Sequence, residues 1–276
     1  MHSRTPHKLL FLALLLATGV SLAASLWPEP GVPEGNPHTC ALGLGETASG
    51  NRASIDGQFS VLSWNLQKSI RPDWRQDLAR LGGDTELAFI QEAARSAGIE
   101  AVLPARSAAF AAGYRTNELE TGVLTLSQTP ALLECDLQAM EPWLGTPKAI
   151  AVTEYPLTGR DERLLTINIH AVNFTLGLED YQAQLGQLDE VLKSHAGPAI
   201  VAGDFNTWRA GRRHALESLM NRHKLTGVHF EPDHRSRFLG EPLDHIFIRG
   251  LTASAPRTIP VTSSDHNPLL VSLRLE

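Results

Sequence analysis

Short apolar runs and amphipathic stripes alternate along most of the chain. Runs rich in Val, Ile, Leu and Phe, several with period-two alternation, are typical of buried or half-buried strands. Stripes with helical spacing predict amphipathic helices between them. Strands are predicted at 61–66, 87–92, 121–127, 163–170, 199–204, 242–248 and 269–273, with shorter β-like pieces across 131–155, and helices begin at Pro72, at 179 and after Trp208. This order predicts an α/β protein with an antiparallel or mixed sheet.

Polar side chains stand where several predicted strands end. Asp204 and Asn206 point the same way, because side chains alternate along a strand. Asn65, Glu92 and His170 end three other runs. A carboxylate and an amide at one strand end suit a hard cation or a phosphate oxygen. Each also has an ordinary structural interpretation, such as an Asp/Asn turn for Asp204 or the first turn of a helix for Glu92.

An acid and an Asp-His pair lie near the C-terminus. Asp244 begins a predicted strand, and Asp265 and His266 lie in a polar turn before the last strand. An adjacent Asp and His in a loop are weak support for catalysis by themselves. An earlier Asp that holds the imidazole would give the His the setting of a general base.

A cluster of basic residues follows the Asp204 strand, at the start of a predicted helix. It consists of Arg209, Arg212 and Arg213. These residues could form an ordinary solvated helix face, or they could contact substrate phosphates beside Asp204. The sequence pattern fits both interpretations.

Composition fits a globular protein and excludes a global attraction to polyanions. The 276 residues are 42% hydrophobic and 20% charged, with a formal net charge of -6. Contact with nucleic acid would therefore depend on local cations.

The N-terminus predicts a targeting segment. Basic residues precede an apolar run from Leu9 to about Leu26, which contains small residues suited to a cleavage site. Residues 1–26 are predicted to be a signal peptide, with an uncleaved inner-membrane anchor through residues 9–26 as the alternative. Residues 27–58 are predicted to be a linker, and residues 59–276 the folded domain. An exported, periplasmic or membrane-anchored protein is expected rather than a cytoplasmic one.

The two cysteines are the remaining feature that bears on the compartment. Cys40 and Cys135 could pair in an oxidising compartment if the fold brings them close enough. Two cysteines alone cannot supply the four ligands of a structural zinc site.

Short motifs occur in one order along the chain: Trp64-Asn65, Gln91-Glu92, Thr121-Gly122-Val123, Asn168-Ile169-His170, Gly203-Asp204-Phe205-Asn206, Leu243-Asp244-His245 and Ser264-Asp265-His266-Asn267-Pro268. This ordered set resembles the endonuclease/exonuclease/phosphatase superfamily, the deoxyribonuclease I-like group, and looks most like a bacterial branch of it. The resemblance covers residues 59–276. It implies a four-layered α/β sandwich with two mainly antiparallel sheets packed face to face and flanked by helices.

The resemblance also implies phosphoester hydrolysis assisted by Mg²⁺ or Mn²⁺. Its expected metal ligands are Asn65, Glu92 and Asp265. The expected catalytic residues are His170, Asp204, Asn206, Asp244 and His266. Phosphate contacts from Arg209, Arg212 and Arg213 complete the expected site.

Each expected catalytic residue has a role by analogy with the superfamily. His266 would take a proton from the attacking water while Asp244 orients its ring. Asp204 and Asn206 would position the water and the scissile phosphate. His170 would hydrogen-bond a phosphoryl oxygen or act as the acid toward the leaving group.

Three functions follow from this similarity. The first is a metal-dependent phosphodiesterase, with a nuclease as its leading version because of the arginine cluster. The second is a phosphodiesterase or phosphatase for a lipid headgroup or small phosphoester, favoured by the N-terminal apolar segment. The third is a non-catalytic binding module of the same fold. A monomer is expected in each case.

Overall fold

The computed structural model describes residues 35–45, 53–103, 107–142, 144–175 and 177–276. The helices within these ranges are α1 (Pro37–Gly43), α2 (Trp74–Gly82), α3 (Glu179–Lys193) and α4 (Ala210–Arg222). The strands are β1 (Gln58–Asn65), β2 (Leu87–Ala94), β3 (Ser107–Arg115), β4 (Glu120–Ser127), β5 (Leu133–Glu141), β6 (Thr146–Pro156), β7 (Arg163–His170), β8 (Ala199–Asp204), β9 (Thr226–Gly227), β10 (Arg237–Phe238), β11 (Glu241–Pro242), β12 (Asp244–Arg249), β13 (Leu251–Thr258) and β14 (Leu269–Leu275).

Two six-stranded mixed sheets form the centre of the fold. Their orders are β13-β14-β1-β2-β4-β3 and β5-β6-β7-β8-β12-β9. In the first sheet β1 and β2 are parallel, and in the second β7 and β8 are parallel. The other strand pairs are antiparallel, which confirms the predicted mainly antiparallel character. A small β10–β11 hairpin lies apart from both sheets.

Hydrophobic side chains fill three spaces: one between the two sheets and one between each sheet and the helices outside it. The backbone therefore forms four layers, in the order helices, sheet, sheet, helices. Between the sheets, apolar residues of β1 and β2 meet those of β8 and β12. Outside the first sheet, Trp74 and Leu78 of α2 pack with buried residues of β1. Outside the second, Tyr181 of α3 and Leu216 of α4 pack with Val201. Burial of one large apolar side chain stabilises the fold by about 1.5–3 kcal/mol. The many buried side chains between the sheets therefore hold the two sheets, and the ends of their strands, in one relative position. The predicted four-layered α/β sandwich is confirmed.

Two local expectations change in the structure. The strand that contains Glu92 continues to Ala94, so Glu92 does not begin a helix. A bulge between Ile90 and Ala93 turns its side chain, and Glu92 has a φ of 48°. Bulges often re-aim a side chain near a functional site. Residues 131–155 form two long paired strands, β5 and β6, rather than short pieces.

Part of the predicted linker is folded. Helix α1 lies within the 27–58 range, and Cys40 forms a disulfide with Cys135 of β5, with a Cα–Cα distance of 5.9 Å. Ile55 bridges to Leu157 before β1 begins. The predicted linker therefore contains ordered segments, which the disulfide and the bridge hold on the second sheet. The predicted leader, residues 1–26, lies outside the described residues.

Among the residues that the structure describes, no helix combines the length and the apolar character needed to cross a membrane.

Candidate active site

The topology brings three polar strand ends to one edge of the second sheet. The parallel pair β7 and β8 places His170 opposite Asp204. The antiparallel pair β8 and β12 places Asp204 opposite Asp244. From the facing sheet, Asn65 at the end of β1 donates to Asp204 Oδ2 at 3.0 Å. Residues far apart in sequence therefore meet at one place, as the sequence predicted.

His266 and Asp244 form a buried pair at the centre of this edge. His266 Nδ1 lies 2.8 Å from Asp244 Oδ2, and its Nε2 lies 3.9 Å from Asp204 Oδ2. Trp64 Nε1 donates to the His266 carbonyl at 2.8 Å, which fixes the loop. Burial alone would lower the pKa of His266, but the carboxylates of Asp244 and Asp204 outweigh it and raise the pKa to about 10.

Asp204 is held by donors on both of its oxygens. Asn65 bonds Oδ2, and the backbone N–H of Asn206 bonds Oδ1 at 2.9 Å. Burial raises the pKa of the Asp204 carboxyl above its ordinary range, although the nearby His266 opposes this. The imidazole of His266 therefore lies between two carboxylates that favour its charged form.

Asn206 takes a left-handed backbone conformation, with a φ of 49°. Asn tolerates this region better than most residues do. The turn lets its backbone N–H reach Asp204, and its side-chain Nδ2 donates to the Ala171 carbonyl at 2.9 Å. The turn thus ties the end of β8 to the loop after His170.

A cavity of about 820 Å³ opens over these residues, and Asp204, Asn206, His170 and His266 line it. Glu92 and Asp265 line the same cavity. Their carboxylate oxygens are the hard ligands that Mg²⁺ or Mn²⁺ prefers. Glu92 and Asp265 could therefore hold the expected divalent cation. Asn65 lies beneath it and is 1% exposed, with its side-chain oxygen accepting from the Gln67 backbone at 2.9 Å.

A second set of groups could hold a metal on distance alone. Single ligand atoms of Asp204, Asp244 and His266 lie within 4.8 Å of one another. Their bonding argues against that role, since His266 Nδ1 is engaged by Asp244 and both Asp204 oxygens accept hydrogen bonds.

Lys148 is a site residue that sequence reasoning missed. Its Nζ lies 3.1 Å from His170 Nε2. Burial, together with the positive charge of Lys148, holds the pKa of His170 well below its ordinary value. His170 is therefore a neutral imidazole that suits hydrogen bonding rather than proton donation. Lys148 is near it only because β6 pairs with β7, and strand pairing is not written in local sequence.

The arginine cluster does not form the expected rim of phosphate contacts. Arg212 is fully buried and donates to the carbonyls of Val172, Asn173 and Asn206. Arg213 pairs with Glu241 and Glu217. Arg209 donates to the Gly177 carbonyl and lies over the Trp208 ring. The phosphate role predicted for Arg212 and Arg213 is wrong, because the fold uses Arg212 to bind loops and Arg213 to pair with acids.

Glu141 is a second missed residue, and it shapes the wall of the cavity. It is 1% exposed and accepts hydrogen bonds from the backbone N–H groups of Asn173 at 2.5 Å and Phe174 at 2.6 Å. This bond pair fixes the turn that presents Phe174 to the cavity. A lone Glu at a strand end gave no signal of this in the sequence.

Known proteins resemble this chain in sequence. The Endonuclease/Exonuclease/phosphatase family pattern matches residues 62–266. A UPF0294 protein of Vibrio vulnificus (strain YJ016) is 40% identical over 232 residues, which cover 82% of this chain and 81% of that protein. A UPF0294 protein of Yersinia pestis is 40% identical over 217 residues, covering 78% of this chain and 83% of the relative.

A solved structure has the same architecture at low identity. An endonuclease/exonuclease/phosphatase from Beutenbergia cavernae superposes with a TM-score of 0.62 at 15% identity, covering 82% of this chain and 72% of that one. That likeness concerns the fold alone, whereas the family match spans most of the folded domain. The chain belongs to the endonuclease/exonuclease/phosphatase family, whose members are generally hydrolases of phosphoesters.

Proposed function

We propose that this protein is a divalent-metal-dependent phosphoester hydrolase in which His266 accepts the proton of the attacking water. The observation that carries the proposal is the buried 2.8 Å bond between His266 Nδ1 and Asp244 at the floor of a cavity that also contains Glu92 and Asp265. Because Asp244 occupies Nδ1, Nε2 is the atom that faces the cavity and takes the proton.

The neighbouring residues have roles that follow from their contacts. Asp204, with both oxygens fixed, orients the water or the phosphate beside His266. Cationic Lys148 donates a hydrogen bond to the phosphoryl oxygens, where negative charge builds up, and neutral His170 accepts from Lys148 and holds its ammonium in place. When bound at Glu92 and Asp265, the cation would supply positive charge that stabilises those oxygens and lowers the pKa of His266.

The structure removes the observation that favoured a nuclease in the sequence analysis, which was the arginine cluster. The nuclease version depended on Arg209, Arg212 and Arg213 as local cations for a polynucleotide backbone. Arg212 and Arg213 are instead engaged within the protein. The phosphoester chemistry does not depend on them, so the proposal rests on the floor of the cavity alone.

Hydrolysis of two chromogenic esters tests the proposal. The full chain is assayed with bis(4-nitrophenyl) phosphate and 4-nitrophenyl phosphate, with Mg²⁺, with Mn²⁺ and with excess chelator. We expect turnover that the chelator abolishes, and a loss of about 10²–10⁴-fold in kcat for His266→Ala. The ratio of the two rates reports whether diesters or monoesters are preferred.

His229→Ala is the matched control, because His229 lies in the loop between β9 and β10 and its side chain is 86% exposed. It should retain the wild-type rate. Full activity of His266→Ala, or equal rates with and without chelator, would show that this site does not perform the reaction as proposed.

We also propose that the folded domain lies outside the cytoplasm, either in the periplasm or anchored to the inner membrane. The bond between Cys40 and Cys135 supports this, because such bonds persist in oxidising compartments. The test is maleimide labelling of denatured protein taken directly from cells. We expect labelling only after reduction, whereas labelling without reductant would favour a cytoplasmic protein.

A further inference from the structure

Exposed apolar side chains collect around the mouth of the candidate active site. Among the described residues, the exposed large hydrophobics are Leu42, Ile70, Met140, Leu144, Phe174, Phe238 and Leu239. Leu144, Phe174 and Phe238 line the cavity itself. Leu239 follows Phe238 in the β10–β11 hairpin, whereas Leu42, Ile70 and Met140 are not among the lining residues.

The β10–β11 hairpin is the most exposed part of this surface. Its two strands pair through Arg237 with Pro242 and Phe238 with Glu241. Phe238 is 57% exposed and Leu239, at the tip, 75%. Leu239 has a φ of 51°, an uncommon conformation for a branched residue, and Phe238 packs edge-on to Trp208. The hairpin thus exposes two large apolar side chains to solvent, at a cost in hydration free energy.

Two other loops present apolar residues beside the hairpin. Phe174 is 55% exposed, and the buried Glu141 holds its backbone in place. Leu144 is also 55% exposed and lies between β5 and β6. We call Leu144, Phe174, Phe238 and Leu239 the apolar rim. An apolar cluster at a binding site, as opposed to scattered single residues, marks a surface that contacts something apolar.

The charges around the cavity favour one class of occupant. Among the described lining residues, Lys68 and Lys148 are the lysines, and no arginine contributes to the lining. A polynucleotide needs a track of cations beyond the scissile phosphate. A polar floor for one phosphate and an apolar rim at the mouth match a molecule with one phosphoester and one hydrocarbon chain.

We propose that the substrate is an amphiphilic phosphoester whose hydrocarbon chain lies on the apolar rim while its phosphate reaches the floor. This inference rests on the proposed phosphoester hydrolase function and names the substrate class for that site. In the reaction, water oxygen forms a bond to phosphorus, the ester P–O bond breaks, and the leaving oxygen takes a proton.

Two diesters with the same leaving group test the inference. Methyl 4-nitrophenyl phosphate and dodecyl 4-nitrophenyl phosphate differ only in the chain, and both are assayed with the full protein below the micelle-forming concentration of the longer ester. We expect kcat/KM to be at least tenfold higher for the dodecyl ester. The gain should be reduced at least fivefold in Phe174→Ser/Leu239→Asn, where Asn also suits the left-handed φ.

Leu42→Ser is the matched control, since it also replaces an exposed leucine, far from the rim, and should keep the wild-type ratio. Equal kcat/KM for both esters in the wild type would overturn the inference. So would a rim variant that keeps the full dodecyl preference. Selective loss of oligonucleotide cleavage in the rim variant would identify the rim as a base-stacking surface instead.

A binding measurement separates this inference from the proposed function. Dodecylphosphonate and methylphosphonate, which are not hydrolysed, are titrated calorimetrically in the presence of Mn²⁺. If neither ester is turned over, the proposed function fails, and the titration still decides about the rim. Tighter binding of dodecylphosphonate, weakened in the rim variant but not in Leu42→Ser, supports the inference, and equal binding of both phosphonates overturns it.

Discussion

The floor of the cavity, formed by Asp204, Asp244 and His266, differs from the apolar rim in burial and in the elements that carry it. At the floor, Asp204, Asp244 and His266 are buried and fixed by hydrogen bonds from strands of both sheets. At the rim, Phe174 and Leu239 extend from loops into solvent. The floor depends on the sandwich itself, and so it can be shared across a family. The rim depends on loops that can change without disturbing the core.

This contrast teaches where substrate choice resides. A rigid floor supplies the chemistry of phosphoester cleavage, and relatives with different loops can apply it to different molecules. In this protein the apolar rim is exposed, and no arginine is among the described residues that line the cavity.

The largest effect is expected from Asp204→Asn at the floor. The amide keeps the size of the carboxylate and an oxygen that can accept from Asn206, but it removes the charge that sits 3.9 Å from His266 Nε2. We expect kcat to fall about 10³-fold, equivalent to roughly 4 kcal/mol, for long-chain and short-chain esters alike. Steady-state kinetics on both esters measures this. A loss confined to one ester would contradict the separation of floor from rim.

Arg212→Leu should break the connection between floor and rim. Arg212 bonds the carbonyl of Asn206 at the floor and those of Val172 and Asn173 beside Phe174. Removing a fully buried guanidinium leaves these acceptors without a donor, so we expect a loss of about 3–5 kcal/mol in the free energy of unfolding. Urea denaturation measures it.

Arg213→Ala is the matched control for that experiment. Arg213 is on the same helix, but its pairs with Glu217 and Glu241 lie at the surface, where ion pairs contribute little. Stability should change by less than about 1 kcal/mol. Comparable losses in the two variants would mean that Arg212 does not bind the loops as described.

A smaller effect concerns pH and His245, which follows Asp244 on β12. His245 Nε2 lies 2.7 Å from Thr207 Oγ1, and Arg235 donates to Nδ1 at 3.2 Å. Burial, reinforced by Arg235, lowers the pKa of His245 to about 3. The unfolded chain therefore binds a proton at a higher pH than the folded chain does. The neutral ring stabilises the fold fully above about pH 6.5, and this contribution is lost as the pH falls toward 3.

His245→Asn tests that sign. In urea denaturation between pH 7 and pH 4, the wild type should lose more stability than the variant, because the variant has no imidazole to protonate on unfolding. Parallel pH profiles for the two proteins would show that His245 does not titrate as stated.

The floor could be predicted from the sequence, and the rim could not. Asp204, Asn206 and Asp244 lie where apolar runs end or begin, and His266 lies in a polar turn before the last strand, so the sequence pattern marks all four. Lys148 and Glu141 reach the site through the pairing of β5, β6 and β7, which local sequence does not specify.

The incorrect prediction for Arg212 and Arg213 also shows that local sequence does not specify which residues a side chain will contact. Arg212 and Arg213 are adjacent and look alike in sequence, yet one is fully buried and the other pairs with surface acids. The difference is the face of α4 on which each lies and what the loops offer there. The folded segment at 37–43 was missed because a short helix held by one disulfide leaves almost no periodic signal.

The most direct test of the account is the position of a bound divalent cation. Crystals of the protein grown with Mn²⁺ would locate the ion by its anomalous scattering. We predict an ion coordinated by Glu92 and Asp265, with His266 outside the coordination sphere and still bonded to Asp244. An ion ligated by Asp204, Asp244 and His266 would contradict the account, because the imidazole that must accept the proton would then be a metal ligand.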